Sequence, residues 1–190
     1  QERYFALASP DAAAILQKER KGTLLVDAHR RLSAYLRALW GRDFWLRPAG
    51  GEGGEARPFI EDWTIHLPDA LDDAPEATGL ELYRAMAAHA AAHLAYTREA
   101  ISAEGLAPLQ VAAIGAIEDA RVESLPARGF PGPATLWARL HRATPDDGGR
   151  AGAFLDRIAR ALADPAYADP DPVVAAARRH WAECALPRES

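Results

Sequence analysis

Leu82-Tyr83-Arg84-Ala85-Met86-Ala87-Ala88-His89-Ala90-Ala91-Ala92-His93 and, after a short gap, Glu118-Asp119-Ala120-Arg121-Val122-Glu123 are the stretches that decide how this chain folds. In the first, Leu82, Met86, His89, His93 and Tyr96 are spaced 4, 3, 4 and 3 apart, which places them on one face of a helix. Two histidines thus stand in an apolar stripe. In the second, Val111, Ile114, Glu118, Val122 and Leu125 share a face by the same rule, so Glu118 is expected to point inward. An inward carboxylate needs a partner, because an unpaired buried charge is costly. His89, His93, Arg121, Arg84 and a metal ion are the candidates.

Two chemistries fit. One is a hydrogen-bonded polar cluster of Arg84, His89, His93, Glu118, Asp119, Arg121 and Glu123 that ties two helices together and performs no reaction. The other is a metal held by His89, His93 and Glu118, since zinc accepts nitrogen and oxygen ligands and leaves a place for water. A zincin motif reads H-E-x-x-H, with the glutamate as general base. Here the stretch is His89-Ala90-Ala91-Ala92-His93, and alanine takes no proton from water. The pattern favours the structural cluster, with no catalytic residue and no cofactor expected.

Working outward, helical periodicity continues on both sides. Ser9-Pro10-Asp11 reads as a helix start and Gly22 as its end. Thr23 is expected to cap a second helix through Trp40, closed by Gly41. Phe44 to Pro48 and Phe59 to Leu67 read as two strands around the glycines at 50, 51, 53 and 54, hence a β-hairpin or small sheet. Phe59, Trp63, Ile65 and Leu67 are expected on one side of the second strand. Helices are then predicted over 79–99, 109–125, 135–142, 150–163 and 173–185. The fold class is mainly α: a single helical domain over 1–190, helical over 1–41 and 79–186, with the β element at 42–68. A degenerate zincin-like arrangement is one form of it, because a strand precedes the histidine helix and a carboxylate helix follows.

Composition sets the outer bounds. The chain has 190 residues, 49% hydrophobic and 26% charged, as in an ordinary globular protein. A formal net charge of -5 argues against a general nucleic-acid binder. Cys184 is the only cysteine, so no intrachain disulfide forms, and a reducing, cytoplasmic setting is expected. Cys184, Trp40, Trp45, Trp63 and Trp137 are expected to pack in or near the core. No apolar stretch is long enough to span a bilayer, so no membrane insertion is expected. The start at Gln1 suggests a fragment.

Tyr83-Arg84, His89 and His93, Glu118 to Glu123, Phe130-Pro131-Gly132, Leu136-Trp137 and His141 together resemble the N-terminal region of the CbbO/NorD family, most clearly over residues 33–142. The resemblance implies an adaptor. Members of that family carry a C-terminal von Willebrand factor A domain and work with a hexameric MoxR-class AAA+ ATPase. CbbO-like members help remodel inhibited Rubisco in carbon fixation; NorD-like members support maturation of nitric oxide reductase. This sequence lacks the D-x-S-x-S motif of the von Willebrand domain and any Walker motif, so ATP turnover would belong to the partner. The expectation is a noncatalytic adaptor, Rubisco-directed, with the reductase as alternative target and a zincin-like metal-binding or metallopeptidase domain as the alternative chemistry.

Overall fold

The computed structural model describes residues 22–50, 57–99, 102–147 and 150–185. The predicted helix beginning at Ser9 and the glycines at 51, 53 and 54 lie outside them. Among the described residues the protein is mainly helical, with six α-helices and two small sheets. Contacts divide the chain into two compact units, Gln1–Ala90 and Ala91–Ser190.

The first unit opens with β1 (Thr23–Leu24) and α1 (Leu25–Trp40). Thr23 does not cap the helix as the sequence suggests. It pairs with Leu71 in the antiparallel ladder between β1 and β5 (Ala70–Leu71), and the N–H of Leu25 is taken by the Asp69 carbonyl at 2.9 Å. Leu25, Ala28, Leu32 and Leu36 bury one stripe of α1. Gly41 ends the helix at φ 66°, and its N–H closes on the Arg37 carbonyl. That is the left-handed stop the sequence predicts.

The second sheet holds β2 (Trp45–Pro48), β3 (Phe59–Glu61) and β4 (Thr64–Leu67) in the order β2-β4-β3. The expected single strand from Phe59 to Leu67 is two. Asp62 and Trp63 both have positive φ, 45° and 63°, and fold the segment into a two-residue hairpin. That break moves the alternation. Ile65 and Leu67 are buried, whereas Phe59 and Trp63 are exposed. A hairpin across the glycine-rich loop does not form either, because β2 pairs with β4 in parallel. Leu46 and Ile65 stand opposite each other and fill the inner face.

Helix α2 (Gly79–Tyr96) begins on a reciprocal cap. Thr78 Oγ1 accepts the Glu81 N–H at 3.3 Å, and Glu81 Oε2 accepts the Thr78 N–H at 2.9 Å. Asp73 takes the Gly79 N–H at 2.7 Å. Gly79 itself has no room for a side chain: a Cβ would lie against the Leu71 carbonyl and 2.7 Å from Thr23 Oγ1. Gly79→Ala is therefore expected to lower stability by about 1–3 kcal/mol through forced displacement of the β1–β5 pair. Chemical denaturation checks it, and an unchanged midpoint would contradict the close approach. Tyr83 is fully buried and donates its hydroxyl to the Pro68 carbonyl at 2.7 Å. Burial, with Asp69 adding to it, pushes this phenol up to about 12.

The second unit is built from the end of α2 with α3 (Pro108–Ala127), α4 (Pro131–Leu140), α5 (Ala151–Ala163) and α6 (Pro172–Ala185). Helix α3 packs on α4 and α5, and α5 packs on α6. Val122, Leu136 and Trp137 are buried. A second cluster joins Ala161, Tyr167 and Val174 with Phe154 and Ile158. The connection between α5 and α6 is pinned by Asp169. Its carboxylate accepts Arg157 Nε at 2.9 Å, Arg157 Nη2, the Tyr167 hydroxyl and the Asp171 N–H at 2.9 Å. Arg178 donates to the carbonyls of Tyr167 and Pro165. Cys184, expected to pack, is exposed on α6.

Candidate functional site

Helix periodicity sets out the site one side chain at a time. His93 lies in the last turn of α2, and Thr97 follows one turn later, just past the helix end. Glu118, Asp119 and Arg121 lie in the middle of α3, which the sequence holds helical with Pro108 in its first turn and the Ala107 N–H bonded to the Gln110 side chain at 2.9 Å.

These residues form one connected chain of hydrogen bonds. Asp119 Oδ1 lies 3.0 Å from His93 Nε2, and His93 Nδ1 lies 3.0 Å from Thr97 Oγ1. The Thr97 hydroxyl donates to Glu118 Oε1 at 2.6 Å. Arg121 donates to Glu118 through Nε at 2.6 Å and Nη2 at 2.7 Å, and Nη2 also reaches the Tyr96 carbonyl at 3.0 Å. The paired guanidinium, against opposing burial and with help from Thr97, holds the Glu118 carboxyl down to about 2. Glu118 is the sheltered carboxylate, with its side chain 19% exposed, whereas that of Asp119 is 51% exposed.

The direction of these bonds fixes His93. The single Thr97 proton goes to Glu118, so at Nδ1 the threonine oxygen accepts and Nδ1 carries a hydrogen. Nε2 then faces a carboxylate oxygen that can only accept.

His89, one turn before His93 on the same helix, joins His93 and Asp119 in the group whose ligand atoms all lie within 4.8 Å of one another. Asp119, rather than Glu118, supplies the carboxylate in it. Glu118 is turned toward Arg121 and Thr97 instead. Ala90 occupies the place of a zincin's glutamate and is itself buried.

Two further members of the expected cluster have contacts of their own. Arg84 sits over the Tyr35 ring at 5.7 Å. Glu123 Oε2 lies 3.8 Å from His141 Nε2. Thr97 is the residue missed from the sequence. Its signal was the i+4 continuation of the His89–His93 row, hidden because Tyr96 fills the apolar stripe at that turn.

Comparisons with known protein families, with curated proteins and with solved structures found no match for this chain.

Proposed function

We propose that this protein is a noncatalytic adaptor domain that works with a hexameric MoxR-class AAA+ ATPase and helps present Rubisco for remodelling. The observation that supports a contact role is the outer face of the three-stranded sheet. Register puts Trp45, Arg47, Phe59, Thr64 and His66 on that face, opposite buried Leu46, Ile65 and Leu67. Trp45 is 75% exposed, and Trp63, in the adjoining turn, is 68% exposed. Phe59 stacks on His66 with ring centroids 4.4 Å apart, which stiffens the surface. Large aromatic side chains left in water mark interaction surfaces, and tryptophan and arginine dominate binding energy where they occur in contacts.

The chemistry of the helix pair agrees with a role in binding. A hydrolase of zincin type needs a base at the second position of its motif, and Ala90 has none. Force for remodelling would come from the ATPase, and this domain would position the target.

The test is capture of the assembled ATPase ring, with Rubisco or nitric oxide reductase as bait in separate arms. Wild-type protein is expected to be retained with the ring and Rubisco. Trp45→Ala is expected to weaken retention by about 30-fold while leaving thermal stability within about 0.5 kcal/mol. Retention with the reductase instead would reassign the target within the same family. Peptide hydrolysis by the purified chain, or no retention in either arm, would defeat the adaptor reading.

A further inference from the structure

The geometry points to a metal site: we propose that His89, His93 and Asp119 bind one divalent ion of the zinc class as a structural clasp between α2 and α3. The proposal is independent of any ATPase or target, since it concerns only these side chains.

Two features carry it. First, the donor set is two imidazoles and one carboxylate, with all three ligand atoms within 4.8 Å of one another. In a tetrahedral zinc site, donors about 2.0–2.1 Å from the ion lie roughly 3.3 Å apart, so small side-chain rotations close the set. Nε2 of His93 and Oδ1 of Asp119 are already at 3.0 Å. Second, the ring of His93 is oriented as a metal ligand should be. Nδ1 is committed as a donor to Thr97, which leaves the Nε2 lone pair for the ion. Thr97 in turn donates to Glu118, which Arg121 grips with two hydrogen bonds. Ligating histidines commonly donate their second nitrogen to such an outer partner, which fixes the tautomer and raises ligand basicity.

The same geometry says what the ion would not do. The half-exposed Asp119 side chain leaves a fourth position open to water, yet no glutamate stands at Ala90 to take a proton from it. Two nitrogens and one oxygen suit zinc, cobalt or nickel better than magnesium or calcium, which prefer oxygen donors throughout.

The experiment uses the full chain, stripped with a chelator and titrated with zinc chloride and, separately, cobalt chloride. Calorimetry is expected to show one equivalent of zinc, and melting is expected to rise on loading. The cobalt adduct should develop the visible bands of a tetrahedral nitrogen–oxygen site. His89→Gln and Asp119→Asn are expected to abolish the bands and the stoichiometric zinc. Thr97→Val, which leaves all three ligands in place, should weaken affinity by about 10-fold. Circular dichroism on each apo variant separates lost binding from lost folding, and His29→Gln, far from the donor set in sequence and on exposed helix surface, serves as the control. Absence of zinc uptake by folded wild-type protein overturns the proposal. So does uptake that His89→Gln and Asp119→Asn leave unchanged.

Discussion

Asp169→Ala is expected to melt roughly 10 °C below the parent protein, the largest loss of stability that any single substitution described above should produce. The carboxylate is 1% exposed and carries four hydrogen bonds, two from Arg157, one from Tyr167 and one from the Asp171 N–H. Removing it takes from the Arg157 guanidinium, itself 12% exposed, its hydrogen-bonded counter-charge and leaves only the more distant pull of Asp171. Breaking one side of a buried ion pair costs about 3–5 kcal/mol. Tyr167→Phe removes only one of the bonds and should cost about 1 kcal/mol. The contrast between the two variants, read by denaturant unfolding, checks that charge isolation sets the size of the effect. Equal losses would contradict it.

Glu118→Ala is expected to lower stability by about 1–3 kcal/mol, because three donors from Arg121 and Thr97 lose their acceptor at once. It also removes a pH dependence whose sign follows from the folded state. Arg121 holds the Glu118 carboxyl down to about 2, below its ordinary value. The stability this group contributes is therefore full above the ordinary glutamate range and is lost as pH falls toward about 2. Asp169 behaves in the same direction, with Arg157 holding its carboxyl far below the usual carboxylate range. Acid titration of the folded protein should thus show a loss of stability beginning near pH 4.5 and steepening toward pH 2. In Glu118→Ala the onset should be shallower. An identical acid limb in the two proteins would mean that Glu118 is not held by Arg121 in solution.

The helices were legible because their evidence is local. Spacing of three and four among Leu25, Ala28, Leu32 and Leu36 names the buried stripe of α1, and Gly41 names its end. The sheets were legible only as β-forming sequence. Parallel pairing of Trp45–Pro48 with Thr64–Leu67 joins segments that have β3 between them in sequence, and no local pattern distinguishes it from an antiparallel arrangement. Thr23 illustrates the same limit: its capping chemistry is real, but a ladder bond to Leu71 outweighs it. At the site, periodicity found His93 and Glu118 but not how they connect. Thr97 intervenes between them, and neighbouring carboxylates at 118 and 119 face different partners. The Arg157–Asp169 lock was invisible because it joins a helix to a proline-marked connection, where spacing carries no signal.

The bend at Asp62 and Trp63 has one further meaning. Two successive left-handed residues are the natural province of asparagine and glycine, which reach that conformation with little steric penalty. An indole there burdens the backbone and gains little shelter in return, since most of the ring remains wet. Folding alone gives no reason for so bulky a group at the tip; under the proposed adaptor role, a partner that covers it would.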